Sequence, residues 1–476
     1  MSTTIKEREI TNEQRVGLPA KKRDSWPVLL GKILVWQVLA ILFVELALFA
    51  AGLGEEEIFK LDPQVGFKHM SNKRITWRSE GLATSYLDQH GLREPNVTLA
   101  KPAGTYRIAL LGDSLTESLQ VPWEQSFSYG IQKNLQDRLG KPVQVLNFGT
   151  SGYATAQEYL QLKSDVLAFK PDLVLLCYNT RDCFENWSPP DEVLTNVRPA
   201  ALHLPGGKLV VDTSPVTLWM RSPRARMLKN FEFFRQHSRL WGLLAAAELD
   251  LSMHNETYKR VLFFLTKPGK ALRQAGNEIN AWIKANVNAP AQSGTKLAAE
   301  AKSAAEVKPV ARAESSVEAN SVEKKPAVEA KPLAEAESAA AVKPAATAAN
   351  DGASTYRALV ERTLGSLLLE MKNESAKTGA KFGVVALPVR SALSIRQGME
   401  DKFCDMSYAD ELNMLNKVSQ PNNIPVINLQ DPAKQLSDQE KDYLFYLVHL
   451  TPRGHKFVAS QLTPAVERIV TGKETP

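Results

Sequence analysis

Four residues in this chain have the types and surroundings needed for acyl transfer. Ser114 ends the run Gly112-Asp113-Ser114, directly after a short apolar segment. A serine at a strand-to-helix turn holds its hydroxyl, and its own backbone N–H, at the carboxyl edge of a sheet. Gly152 lies in NFGTSGY (147–153), after a second apolar run. A glycine there lets the backbone approach a substrate and present its N–H. Asn179 ends a third run, where its side-chain amide can donate to the same oxygen. His449, in HLTPRGH (449–455), is the candidate base for the Ser114 proton.

Other nearby groups have plainer readings. Asp113 is read as a turn former and His455 as a packed residue at a helix start, while Arg181 and Asp182 either line a cleft or form a surface ion pair. The four residues before His449 contain no carboxylate, and the nearest aspartates upstream are Asp442 and Asp438. If 438–448 is helical, Asp442 lies ~10 Å along the axis from His449, too far for a direct hydrogen bond. Either Asp442 orients the imidazole from a looped chain, or a backbone carbonyl does so. The histidines show no metal-ligand spacing, so neither a metal nor a cofactor is expected.

The elements that must position these residues follow from the apolar pattern. RIALLG (107–112), VQVLNFG (143–149), DLVLLCYN (172–179), KFGVVALPV (381–389) and IPVINL (424–429) have the length and boundaries of buried strands. Helical patterns occupy about 126–139, 154–169, 356–378 and 406–419, and a last helix follows Pro452 to about 470. Strands alternating with helices predict a doubly wound parallel sheet, with ligands beyond the carboxyl ends of the strands.

This ordered set of blocks resembles the SGNH (GDSL-type) hydrolase family over roughly 107–187 and 380–470. The stretches QHGLREPN (89–96) and LDPQVGF (61–67) look like those of membrane-anchored bacterial members. The resemblance implies an α/β fold, a flavodoxin-like three-layer α/β/α with a parallel sheet. It also implies ester chemistry through an acyl-serine, with Ser114, Gly152 and Asn179 as oxyanion hole. Two blocks depart from the family pattern. The third, usually Gly-x-Asn-Asp, is CYNT (177–180) here. The position three before the histidine, usually Asp, is Tyr446.

Of the 476 residues, 44% are hydrophobic and 23% charged, which excludes a wholly disordered chain and a polytopic transporter. A net charge of +6 argues for no nucleic-acid groove. Cys177, Cys183 and Cys404 cannot form a disulfide framework and are expected to be buried, although Cys177 and Cys183 could pair in an oxidising compartment. Residues 33–53 are 21 residues interrupted only by Gln37 and Glu45. As a helix they reach about 31 Å, the thickness of a hydrocarbon core. Glu45 is expected to point to the headgroups, the alternative being contact with another helix. Lys6, Arg8, Arg15, Lys21, Lys22 and Arg23 precede the span and Glu55, Glu56 and Glu57 follow it. The positive-inside rule then puts the rest of the chain outside the cytoplasmic membrane.

The expected organisation is a tail (1–26), a transmembrane signal anchor (27–53), an irregular or β-rich lead-in (54–104) and the first part of the catalytic domain (105–189). An insertion (190–284) with a hairpin signal at 205–207 and helical patterns near 219–248 and 256–284 comes next. An Ala/Lys/Glu/Pro-rich disordered segment (285–352) and the second part of the domain (353–476) complete it. Three functions fit. The first is an extracytoplasmic esterase acting on acyl esters, such as O-acetyl groups, of a cell-surface polysaccharide. The second is an O-acyltransferase using the same serine, and the third a catalytically inactive carbohydrate-binding or assembly protein, which the missing carboxylate favours.

Overall fold

The computed structural model describes residues 25–473, apart from 55–56, 79, 96, 180–181, 184, 188–197, 204–206, 255–348 and 394–406. The strands are β1 (Phe59–Asp62), β2 (Gly66–His69), β3 (Lys73–Trp77), β4 (Ala83–Leu87), β5 (Tyr106–Gly112), β6 (Val143–Asn147), β7 (Leu173–Tyr178), β8 (Ala200–His203), β9 (Leu209–Asp212), β10 (Lys381–Ala386) and β11 (Val426–Asn428). The helices are α1 (Trp26–Ala51), α2 (Ser114–Glu117), α3 (Phe127–Leu139), α4 (Thr155–Ser164), α5 (Ser214–Met220), α6 (Pro223–Asn230), α7 (Glu232–His237) and α8 (Arg239–His254). After 348 come α9 (Ala349–Lys377), α10 (Tyr408–Ser419), α11 (Gln430–Lys434), α12 (Asp438–Leu444) and α13 (Pro452–Thr471).

Five strands form one parallel sheet in the order β11-β10-β7-β5-β6. Read from the β6 edge this is the doubly wound 2-1-3-4-5 order of a flavodoxin-like fold. Side chains alternate across each strand, and both faces of the sheet are apolar. Ile108 and Leu110 belong to one core cluster with Phe127 and Ile131 of α3 and Leu462 and Val466 of α13. Ala109 and Leu111 belong to the other, with Leu162 of α4, Leu364 and Leu368 of α9 and Leu415 of α10. Two buried faces explain why these strands read as continuous apolar runs. The five expected strands are the five observed. The helical pattern at 154–169 breaks into α4 and a 3-10 turn at Val166–Phe169.

The lead-in is two antiparallel hairpins, β1–β2 and β3–β4, fastened to the sheet by buried polar groups. The guanidinium of Arg93 donates to the carbonyls of Glu117 (2.9 Å) and Val121 (2.6 Å), holding the chain that follows Ser114. Beside it, the carboxylate of Glu94 accepts from the Asn147 N–H at 3.2 Å. Burial pushes the Glu94 carboxyl up to about 7. A carboxyl raised in the folded state from its usual 4.5 stabilises fully below 4.5, and that contribution is lost as the pH rises through about 7. Glu94→Gln should therefore raise the thermal midpoint at pH 8 and leave it nearly unchanged at pH 4.5, a comparison made by calorimetry at the two pH values. Equal midpoint shifts at both would show that Glu94 is not held neutral.

Cys177 and Cys183 are buried free thiols, so they do not pair; Cys404 lies outside the described residues. In the insertion, β8 and β9 form the hairpin signalled at 205–207. The pattern at 219–248 becomes a chain of short helices, α5 to α8, rather than one long helix. The pattern at 256–284 and the segment 285–348 lie outside the described residues. Helix α1 is long and apolar enough to cross a membrane, with none of its most apolar stretch buried. Glu45 makes the contact with another helix that was the alternative to a place among the headgroups. It accepts hydrogen bonds from the N–H groups of Arg239 (2.9 Å) and Leu240 (3.2 Å) at the start of α8. A carboxylate satisfies the unpaired N–H groups of a helix start, which outweighs leaving it to solvent.

Candidate active site

Three of the four predicted residues come together because of strand register. The pair Gly112↔Cys177 ends the β5–β7 ladder, so Ser114 and Asn179 each lie two positions beyond paired residues of neighbouring strands. On the other side of β5, Leu110 pairs with Asn147, and the Thr150 N–H donates to the Gly112 carbonyl at 2.9 Å, carrying the Gly152 loop to the same edge. This is the switch point of the sheet, where a doubly wound fold opens a crevice.

Ser114 is the first residue of α2, and Asp113 caps it by accepting from the Leu115 N–H at 3.0 Å. The second oxygen of Asp113 accepts from Asn179 Nδ2 at 2.6 Å. Asp113 is thus a turn former, as expected, and also fixes the Asn179 amide. Asp182, rather than lining a cleft or forming a surface pair, is buried and accepts from the Asn179 N–H at 3.0 Å. Arg181 lies outside the described residues. Beneath the site Glu158 is also fully buried. Burial pushes the carboxyls of Glu158 and Asp182 well above the usual carboxylate range, and the neighbouring Asp113 raises both further.

Gly152 has φ +77°, a left-handed conformation that favours glycine. Its loop is braced through Ser151, whose hydroxyl donates to the Glu117 carboxylate. The other oxygen of Glu117 lies 2.5 Å from His69 Nε2 on β2, so the lead-in supports the loop from below.

His449 sits in a tight turn before α13. Phe445 and Leu450 form a bridge, and the Tyr446 N–H donates to the His449 carbonyl at 2.8 Å. Thr451 then caps α13 by accepting from the Gly454 N–H at 3.1 Å. Burial pushes the Asp113 carboxyl above its usual range, with the bonds from Asn179 and Leu115 and the charge of His449 offsetting only part of the rise. His455 is buried within α13, parallel to the Phe127 ring at 5.8 Å. Burial lowers it to about 3, with Arg93 and His449 adding to the effect. It is a packed residue, as expected.

Neither of the two groups expected from sequence to orient the imidazole stands beside it. Asp442 is half exposed and pairs with Arg390 at 3.2 Å, bonded away from the imidazole. Among the described residues, no backbone carbonyl takes the imidazole Nδ1 either. The group beside it is Glu80, from the turn of the β3–β4 hairpin. Its Oε2 accepts from the N–H of His449 (2.9 Å) and of Val448 (3.1 Å) and lies 3.3 Å from His449 Nδ1. That last contact is within ion-pair distance but not aligned as a hydrogen bond. Long contacts of this kind are common in sites without substrate. Burial pushes the Glu80 carboxyl up, but the two N–H groups and the charge of His449 outweigh it and hold it below the usual carboxylate range. The adjacent Gly81 has φ +74°, and a Cβ there would lie 2.5 Å from the Gln120 carbonyl oxygen, so the turn requires glycine.

Sequence reasoning missed Glu80 and Arg93. The available signal for Glu80 was a turn, RSEG (78–81), between two alternating segments. Nothing local tied it to a histidine 369 residues away. Among the described residues, no group of three or more His, Cys, Asp or Glu is arranged to hold a metal ion.

A family model for the GDSL-like lipase/acylhydrolase family matches residues 110–287. No curated protein sequence matches the chain at a significant level. Among solved structures, the acetyl xylan esterase AlAXEase is 12% identical, with 76% of this chain and 99% of that chain covered and a TM-score of 0.31. A catalytic mutant of the acetylxylan esterase Axe2 from Geobacillus stearothermophilus is 10% identical, with 75% and 93% covered and a TM-score of 0.31. A GDSL-like lipase from Bacteroides thetaiotaomicron is 10% identical, with 76% and 88% covered and a TM-score of 0.28.

Proposed function

Because the chain belongs to the SGNH, or GDSL-like, acylhydrolase family, we propose that Ser114, His449 and Glu80 form a working triad. The triad would hydrolyse acyl esters on the outer side of a membrane crossed by α1. The observation that carries this reading is the Glu80 carboxylate beside His449 Nδ1. The absent carboxylate was the support for an inactive protein, and a carboxylate from elsewhere in the chain removes it.

With Nδ1–H toward Glu80, the neutral imidazole keeps Nε2 as the proton acceptor. The Ser114 oxygen attacks the acyl carbon as its proton passes to His449. The resulting oxyanion is held by the N–H groups of Ser114 and Gly152 and by the Asn179 amide. Asp113 serves here by fixing how that amide points. The C–O bond to the alcohol then breaks, and the imidazolium returns the proton to the departing oxygen. Water, deprotonated by the same imidazole, attacks the acyl-serine and releases the acid. Glu80 stabilises the imidazolium in both halves of the cycle.

An anchored, outward-facing site meets cell-surface glycans, and we assign their O-acyl groups, acetyl foremost, as the substrate class. The test is labelling with a fluorophosphonate and turnover of an aryl acetate with no acceptor alcohol. Stoichiometric adduct at Ser114 together with turnover is the expected result. Adduct without turnover would move the assignment to acyl transfer, and no adduct would remove the activated serine altogether.

A further inference from the structure

The insertion is locked to α1 at a defined depth. Glu45 accepts from the N–H groups of Arg239 and Leu240 and from the Ser238 hydroxyl. The Arg239 guanidinium reaches the carbonyls of Leu53 and Gly54, each at 3.2 Å, and lies 5.1 Å from the Phe49 ring. Arg235 pairs with Glu57 at 3.0 Å, just beyond the helix. From Glu45 to Ala51 an α-helix rises about 9 Å, at ~1.5 Å per residue. If Ala51 marks the outer end of the span, the start of α8 lies about 9 Å below it. That is inside the acyl region, at the ~5–10 Å depth to which interfacial helices bury their apolar faces.

The surface at that level has the composition of a membrane interface. Phe233 is 69% exposed, Leu244 61%, Phe234 53% and Phe231 43%. Grouped so closely, these side chains are not scattered surface hydrophobics. Aromatic side chains beside arginines are the usual occupants of the headgroup level.

We propose that α6 to α8, residues 223–254, lie in the outer interface of the bilayer that α1 crosses. Phe233, Phe234 and Leu244 enter its acyl region. The partner is the lipid surface itself, since the patch is continuous with the span. The lipid then holds the catalytic domain in one pose. This rests on α1 spanning a membrane, as proposed above.

The test uses the full chain in nanodiscs of phosphatidylethanolamine and phosphatidylglycerol, with Cys404→Ser as background. Single cysteines replace Phe233, Phe234 or Leu42 of α1, each carrying an environment-sensitive fluorophore. Positions 233 and 234 are more than half exposed, and ester turnover of each labelled protein reports that the fold is kept. A nitroxide high on the lipid acyl chain lies ~5–10 Å deep and should lower emission at 233 and 234 about two-fold or more. Quenching at 42 without quenching at 233 and 234 would overturn the proposal and leave the span standing. No quenching at 42 would overturn the span, and the proposal with it.

Discussion

Ser114→Ala and His449→Ala should each lower ester turnover by about four to six orders of magnitude, and the double variant should be no worse than either alone. Non-additivity is the informative part. Groups that act as one unit lose the whole effect when any member is removed, whereas independent contributions multiply. In this site the serine has no activated oxygen without the imidazole, and the imidazole has no proton to take without the serine. Residual activity over water would come from the backbone donors at Ser114 and Gly152. The measurement is kcat for an aryl acetate with both singles and the double. Full activity in His449→Ala would remove the base from the mechanism. A double variant far below both singles would show that the two act separately.

Glu80→Gln should lower kcat by up to about four orders of magnitude, the loss seen when the carboxylate of a serine-protease triad becomes its amide. Asp442→Asn should be nearly silent. Glutamine keeps an oxygen able to accept from the N–H groups of Val448 and His449, so the turn stays in place while the charge beside Nδ1 is lost. The thermal midpoint should therefore move little, which separates loss of charge from loss of structure. Glu80 is held below its usual 4.5 in the folded state. Its stabilisation is present above 4.5 and lost as the pH falls through the lower folded value. Acid loss of activity near neutrality is thus not a titration of Glu80. An outcome with Asp442→Asn impaired and Glu80→Gln unaffected would reverse the assignment.

The sheet was legible because each strand carries its own apolar run, buried on both faces in the central strands and half-buried in the edge strand β11. The serine, glycine and asparagine were legible because each follows a strand, so one-dimensional order implied a shared edge. The carboxylate was not. A search upstream of His449 assumes that the acid travels on the same loop, where Arg390 takes Asp442 and Lys441 takes Asp438. Glu80 reaches His449 only because Arg93 and Glu117 fasten the lead-in to the sheet, and contacts over such separations leave no periodicity. Glu45 was misread for a related reason. Its partners are backbone N–H groups of a helix whose start the sequence pattern did not resolve.

The lead-in hairpins also bear on how the chain divides. The strand pattern alone recommends a cut near residue 105, where the parallel sheet begins. A protein trimmed there would keep the whole sheet, Ser114, Gly152, Asn179 and His449, and every motif by which such an enzyme is recognised. It would lack Glu80, the Arg93 clamp and the His69 brace. On the proposed mechanism the catalytic unit therefore begins before the parallel sheet does, and so does its core, since Leu92 and Val97 of the lead-in pack in the cluster that holds Ala109 and Leu111.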